Sequence, residues 1–192
     1  GADFDGSGTV DFGDFFMFAD AFGKPAEGDA VTFDLDKSGT VDFGDFFVFA
    51  DLFGKSASKR VVDEALPMVE GLALTSASEA EELVLSLRSE GLSVRGYGAV
   101  VEYDPSAFEL VSVSDASSVL RQGGESLLLQ EEMPGRVLLL GSAAGGAPAV
   151  DGLLAELRFA PVRPEAEGLF RLEDAVVRAE SGDVAQVQDL EP

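Results

Sequence analysis

The 192-residue sequence contains no cysteine, no histidine and no tryptophan. Without cysteine and histidine, the chain cannot form disulfides, Cys–His or Ser–His–Asp catalytic groups, or the usual zinc sites. With no tryptophan and only two tyrosines, it has few rings that could stack on a sugar, which argues against carbohydrate binding. We expect Tyr97 and Tyr103 to pack against or anchor strands instead.

Basic residues are also scarce. The chain has 13 lysines and arginines against 36 aspartates and glutamates, which gives a net charge of −23. Phosphate binding needs basic patches, so nucleic acid is not an expected partner. No apolar run approaches the roughly 18 residues of a membrane-spanning helix, so no membrane span is predicted.

Among the many acidic residues, the adjacent pair Glu131 and Glu132 offers one catalytic pattern. Glycosidases do use paired carboxylates. Adjacent residues of a strand point to opposite faces, however, so we interpret this pair as a solvated acidic edge. The sequence therefore predicts a protein that is not an enzyme and has no catalytic residue.

Phenylalanine divides the chain into two parts of different composition. Twelve of the 15 phenylalanines precede residue 54, whereas the remainder is rich in valine, leucine, alanine and glutamate. The small and charged residues between these parts are typical of a linker. We therefore predict a module at residues 1–55, a linker at 56–65 and a second domain at 66–192.

The first module contains a segment that occurs twice, at residues 3–14 and, 31 positions later, at residues 34–45. Each copy places carboxylates at loop positions 1, 3, 9 and 12, a hydroxyl at 5, a glycine at 6 and a threonine carbonyl at 7. This is the ligand spacing of an EF-hand calcium loop, and it predicts two bound Ca²⁺ ions. The predicted ligands are Asp3, Asp5, Ser7, Thr9, Asp11, Asp14, Asp34, Asp36, Ser38, Thr40, Asp42 and Asp45.

Both loops depart from the strongest calcium-binding pattern. Position 5 is a neutral serine, and position 12 is aspartate, which is one methylene shorter than the usual glutamate. The calcium affinity is therefore predicted only within a range of about 10⁻⁷ to 10⁻³ M. Weak loops would stay empty in the cytosol, so we expect a secreted or cell-surface protein. A module this small is also expected to be largely unfolded without metal.

A helix is predicted directly after each loop. Its apolar residues recur at the i, i+3, i+4 and i+7 spacing of a buried helix face. These residues are Phe15, Phe18, Ala19 and Phe22 in the first copy, and Phe46, Phe49, Ala50 and Phe53 in the second. Gly23 and Gly54 are placed to end the helices in a positive-φ conformation. The sequence thus predicts a small all-α module made of two loop–helix repeats.

This duplicated loop–helix pattern, with no helix before the first loop, resembles the dockerin module of bacterial cohesin–dockerin assemblies. The resemblance covers residues 1–55 and implies that loop positions 10 and 11 contact a partner. With two further phenylalanines on the same arc, the implied partner-binding residues are Phe12, Gly13, Phe16, Phe43, Gly44 and Phe47. Cellulosomal dockerins commonly carry small hydroxyl residues there, so the specificity should differ. Core packing is the alternative role for these phenylalanines.

The second domain contains short apolar runs separated by turn residues. Eight or nine such runs in about 125 residues predict an all-β antiparallel sandwich. The runs are Leu83–Leu87, Tyr97–Tyr103, Phe108–Val113, Leu127–Leu129, Val137–Leu140, Leu153–Phe159, Leu169–Leu172 and Val184–Val187, and Gly91 is among the predicted breaks.

Three fragments of this domain resemble strands of cohesin domains. They are residues 96–110, which include a Tyr-Asp-Pro turn, residues 152–159 and residues 168–176. The resemblance implies a nine-stranded jelly-roll sandwich with one face that binds dockerin helices.

Two such modules on one chain allow three arrangements. The front module can dock on the sandwich of the next copy, which gives head-to-tail polymers, filaments or rings. The chain can instead be an adaptor that joins a foreign cohesin to a foreign dockerin in a cellulosome-like complex. Third, the module can fold back on its own sandwich, although a linker of about ten residues spans at most roughly 33–36 Å. We favour head-to-tail self-assembly, then the adaptor, then back-folding.

Overall fold

The computed structural model of the protein describes residues 1–56, 68–146 and 150–188. The predicted linker falls almost wholly outside these residues. Helices α1 (Phe12–Ala21) and α2 (Phe43–Leu52) come first, with a 3₁₀ turn at Gly28–Phe33 between them. The strands that follow are β1 (Met68–Val69), β2 (Leu72–Glu79), β3 (Glu82–Glu102), β4 (Phe108–Ser114), β5 (Ser126–Met133), β6 (Arg136–Ala143), β7 (Val150–Pro161), β8 (Arg171–Ala179) and β9 (Val184–Val187).

The strands form two layers, which confirms the predicted β-sandwich. Strand β3 belongs to both layers, because residues 82–89 pair with β2 and β7 while residues 94–102 pair with β6 and β8. The first layer has the order β2–β3–β7–β4, and the second has the order β5–β6–β3–β8–β9–β1. Leucines of the first layer, such as Leu85 and Leu157, pack with Tyr97 and Leu139 of the second to form the core.

Two details of the predicted strands are wrong. Gly91 does not end a strand, because β3 continues through it with φ of 70° and a register shift between Ser89 and Val94. The glycine therefore bends one long strand, which is a common use of glycine in a strand interior. Leu169 precedes β8 and its side chain is exposed, so the predicted run Leu169–Leu172 only partly overlaps a strand.

Both predicted helices are confirmed, but each begins at loop position 10, so that the last three loop residues form the first turn of the helix. Asp11 and Asp42 cap α1 and α2 by accepting hydrogen bonds from Gly13 and Gly44, both at 2.8 Å. The glycines after the helices have positive φ values of 80° and 76°, as predicted. The buried helix faces pack on each other, with the rings of Phe18 and Phe49 stacked at 5.5 Å.

The two loop–helix repeats are joined through their backbones. Val10 of the first loop donates its amide to the Lys55 carbonyl at 3.1 Å and accepts from Gly54 at 2.8 Å. Val41 of the second loop makes the matching pair of bonds with Lys24 and Gly23, at 2.9 and 2.8 Å. Each loop is therefore held by the segment that follows the other repeat's helix. We call residues 1–56 the loop–helix module. Within the described ranges, no helix is long and apolar enough to span a membrane.

Candidate protein-docking site

Each loop gathers three carboxylates at one point. Oxygens of Asp3, Asp5 and Asp14 lie within 4.8 Å of one another, and those of Asp34, Asp36 and Asp45 do the same. These are loop positions 1, 3 and 12 of the predicted calcium ligands. The hydroxyls of Ser7 and Ser38 donate to the carbonyls of Thr9 and Thr40 at 3.1 and 3.0 Å, so the position-5 and position-7 oxygens are also adjacent.

The carboxylate at position 12 links the loop to its helix. Asp14 accepts backbone hydrogen bonds from Phe4, Asp5 and Asp11, and Asp45 accepts the equivalent set in the second loop. Burial raises the pKa of Asp14 to about 6, with the Asp5 carboxylate adding to the shift. A bound cation would favour the ionised carboxylate that this site otherwise disfavours.

The first loop also contains a buried oxygen without a partner. One Asp3 carboxylate oxygen accepts from the Gly8 amide at 3.1 Å, whereas the other, Oδ1, is buried with no hydrogen bond. An unsatisfied buried anion is costly unless a cation binds it. The loop residues therefore fit a hard divalent cation such as Ca²⁺. Asp11 and Asp42 lie outside the three-carboxylate clusters and cap the helices.

Helix α1 covers the outer face of the second layer, on the strands β5, β6, β3 and β8. We call this surface the docking face. By strand register, its residues form the rows Leu127–Ser142–Gly96–Arg178 and Leu129–Leu140–Gly98–Val176. Leu127 and Leu140 are buried in the same apolar cluster as the phenylalanines of the module, and Leu129 packs against it. The contact is thus a continuation of the module's core onto the sheet.

Two glycines of β3 give the aromatic rings of α1 the space that they occupy. A Cβ on Gly96 would lie 2.6 Å from Cε1 of Phe16, and a Cβ on Gly98 would overlap the ring of Phe12. Neither glycine has a positive φ, so the backbone does not require glycine there. The absence of a side chain allows the rings to approach the strand closely.

Arg178 of β8 joins the same contact through its guanidinium. It donates to the backbone carbonyl of Phe16 at 3.0 Å and to the Asp20 carboxylate at 2.5 Å. A third hydrogen bond, to the Gly182 carbonyl at 3.3 Å, holds it against its own domain. The Arg178 side chain is 12% exposed and that of Asp20 is 36% exposed, so the guanidinium is largely removed from solvent while the carboxylate still reaches it.

The second repeat serves as an internal comparison for the first. Phe16 is 1% exposed on the docking face, whereas Phe47, which is 31 residues later, is 65% exposed. Phe43, the equivalent of Phe12, is 45% exposed. The structure therefore brings two of the predicted partner-binding phenylalanines to the sheet and leaves two exposed.

The predicted partner-binding glycines occupy a different environment. Gly13 and Gly44 lie against the carboxylates of their own loops, since a Cβ on Gly13 would be 2.8 Å from Oδ2 of Asp5. They leave room for Asp5 and Asp36 in the acidic clusters.

The β-sandwich is similar in structure to solved cohesin modules. A cohesin module from a family 33 glycoside hydrolase of Clostridium perfringens has a TM-score of 0.51 at 18% identity, covering 65% of this chain and 95% of that one. The second type II cohesin module from a cellulosomal adaptor scaffoldin of Acetivibrio cellulolyticus also has a TM-score of 0.51, at 14% identity and 64% and 98% coverage. The β-sandwich has a cohesin-like fold. No protein-family model matches the sequence, and no curated protein matches it.

The residues of the docking face were not predicted from the sequence. Gly96, Gly98, Leu140 and Arg178 lie on different strands, and only strand pairing brings them together. The sequence did contain one signal of this face. Glycine occurs at positions 96 and 98, two residues apart, inside an otherwise apolar strand. Such a pattern indicates a strand face that another group approaches closely.

The contact between α1 and the docking face lies within one chain in this structure, which is the back-folded arrangement, the least favoured of the three predicted. The reach of the linker argued against this arrangement only in part, since it depends on where the face lies. In the structure, the cohesin-like domain begins with β1, which pairs with β9 in the same layer that carries the docking face. The chain thus enters the domain two strands from β8, and the face is not on the far side of the sandwich.

Alanine substitutions at Phe16 and Phe47 should have unequal effects on stability. We expect Phe16→Ala to lower the free energy of unfolding of the module by about 3 kcal/mol, since it empties a buried aromatic site. Phe47→Ala should change it by less than about 1 kcal/mol, because that ring is mostly solvated. Urea unfolding followed by far-UV circular dichroism, with calcium present, measures both. Equal losses would show that the sheet does not bury the first repeat preferentially.

Proposed function

We propose that this chain is a non-catalytic, calcium-dependent assembly protein whose loop–helix module docks on cohesin-like domains. The observation that carries this proposal is the unequal burial of two equivalent side chains, Phe16 at 1% and Phe47 at 65%. The five residues that end at each of these positions, 12–16 and 43–47, are identical in the two repeats, so we attribute the difference to the sheet face. A dockerin-like role for residues 1–56 fits this contact.

Calcium, in this proposal, is the structural cofactor of the module. Each ion would be held by the position 1, 3 and 12 carboxylates of one loop, with the Ser and Thr oxygens at positions 5 and 7 completing the set. The bound ions neutralise part of the acidic cluster and order the loop from which the docking helix begins. The neutral ligand at position 5 and the short aspartate at position 12 favour use outside the cell, where calcium is abundant.

Assembly follows if the same contact forms between copies. The closed chain and a head-to-tail chain would use one interface, exchanged from the chain's own sandwich to a neighbour's, as in domain swapping. Each chain also carries a second repeat with phenylalanines at the positions that match Phe12 and Phe16, and these two side chains, Phe43 and Phe47, are solvent-exposed. Reciprocal exchange between two copies closes into a dimer, whereas exchange from each copy onto the next extends into filaments or larger rings.

Light scattering coupled to size-exclusion chromatography tests this proposal across protein concentration, first with calcium and then with a chelator. We expect oligomers that grow with concentration and dissociate on chelation. A calcium-loaded monomer at every concentration would contradict self-assembly. If that monomer captured an added cohesin or dockerin module of another protein, the adaptor would replace the head-to-tail polymer as the function.

A further inference from the structure

We propose that the docking face selects its partner by three side chains of a loop–helix repeat. These are an aromatic ring over Gly98, a second aromatic ring over Gly96 and a carboxylate at Arg178. The inference rests on the proposed function and names the partner class of the same site. That class is a repeat of this chain's own kind, from the same or a second copy.

The two glycines make the face selective by shape. Phe12 and Phe16 are one helical turn apart, and each ring fills the space left by one missing side chain. The glycines are two residues apart in β3, so both spaces lie on the same face of the sheet. A repeat with small residues at these two positions would leave the spaces empty and lose that burial.

Arg178 makes the face selective by charge. It is held against its own domain by Gly182, and its remaining hydrogen bonds reach the carbonyl of Phe16 and the carboxylate of Asp20. A partner without an acid at that position would bury the guanidinium without its counter-ion. The cost of leaving a desolvated charge unpaired is what makes such a pair discriminating.

The same three features recur in the second repeat at 31-residue spacing, as Phe43, Phe47 and Asp51. Their side chains are exposed in this structure, so they are accessible to another copy. A face that requires all three features therefore accepts both repeats of this chain. It rejects loop–helix modules that carry small hydroxyl residues there.

A charge-reversal series in the full chain tests this selection. Because the chain has no cysteine, spin labels can be attached at Val31→Cys and Val111→Cys, two exposed positions on the module and the sandwich. Pulsed-EPR distances, with labelled chain diluted into unlabelled chain, then report the closed contact. Asp20→Arg combined with Asp51→Arg removes the acid from both repeats, so neither can replace the other.

We expect this double variant to raise the open-to-closed ratio by about 30-fold, and adding Arg178→Glu to recover about tenfold of that change. The control Glu27→Arg with Asp29→Arg alters the net charge equally at exposed sites of the module and should leave the distances unchanged. Asp20→Asn with Asp51→Asn, which is nearly isosteric, should open the chain in the same direction. Circular dichroism with calcium confirms that each variant folds.

Three outcomes separate the inference from the proposed function. A closed contact that survives Asp20→Arg with Asp51→Arg would overturn the selection by charge while leaving docking intact. Failure of Arg178→Glu to restore any contact would overturn the role of Arg178 in the same way. If the unmodified chain shows neither a defined label distance nor oligomers in calcium, the proposed function itself is wrong.

Discussion

Replacing Gly98 by leucine is expected to displace the loop–helix module from the docking face while both parts of the chain remain folded. A Cβ at this position already overlaps the ring of Phe12, and leucine adds three more carbons in the same direction. Overpacking a close-fitting site costs about 1–3 kcal/mol, and more where the neighbours cannot move. Phe12 cannot move away freely, because its ring also packs edge-on against Phe53 at 5.6 Å.

The substitution should not disturb the strand itself. Gly98 lies inside β3 without a positive φ, and leucine suits a strand better than glycine does. Docking through the second repeat would not avoid the clash, because it would place the Phe43 ring over the same position. The label pair at residues 31 and 111 should therefore show a broad distribution of long distances, and amides of β6 should exchange faster with solvent.

A complementary pair of substitutions separates steric exclusion from general damage. Gly98→Ala alone should weaken the contact, and Phe12→Ala in the same chain should restore part of it by removing the ring that the new methyl group meets. The matched control is Phe43→Ala, which truncates the equivalent ring on the exposed repeat and should restore nothing. A Gly98→Leu chain that keeps the closed distances would show that the glycine is not needed for docking.

Much of the module could be predicted from its sequence because its signals are local. The calcium-loop spacing located the loops, and the 3.6-residue periodicity of phenylalanine located the ends of α1 and α2 within one residue and their starts within three. Gly23 and Gly54 end the helices by their own positive φ values, which is also a local property. The backbone bonds from Val10 and Val41 were not predictable, because they join each loop to the far end of the other repeat.

The docking face was harder to predict because it depends on long-range pairing. Strand alternation indicated the sandwich, yet it could not show that β3 continues through Gly91 and contributes to both layers. Gly98 of β3, Leu140 of β6 and Arg178 of β8 are far apart in the sequence, and nothing local to any of them indicates that they are neighbours in the fold. Only the register places them in adjacent rows under α1.

Removing calcium is expected to unfold residues 1–56 and to leave the cohesin-like domain folded. The module has 12 acidic and 3 basic residues, and each loop holds three carboxylate oxygens within 4.8 Å of one another. Two calcium ions would offset four of these negative charges. At a free calcium concentration of about 100 times the dissociation constant, each site contributes about 2.7 kcal/mol of stability. A module of this size has little other stability to spare.

Far-UV circular dichroism during chelation measures this effect, since α1 and α2 are in the module. We expect the helical signal to disappear on addition of a calcium chelator and to return with excess calcium, while magnesium restores it less well. Heat denaturation of the chelated chain should still show one cooperative transition from the sandwich. Persistence of the helical signal at complete chelation would contradict a structural role for the metal.

The backbone hydrogen bonds between the two repeats predict that the two calcium loops unfold together. Asp3→Asn and Asp34→Asn each weaken one calcium site, and they are matched because both remove the position-1 carboxylate. If the repeats were independent, each variant would lose half of the helical signal. Val10 and Val41 instead join each loop to the segment after the other helix, so damage to either loop releases both helices. We therefore expect a single unfolding transition of the whole module in each variant, shifted to a higher calcium requirement. Helix α1 carries Phe12 and Phe16, so its release also breaks the docking contact. Loss of calcium from the second loop should therefore open this contact, although the second loop makes no part of it.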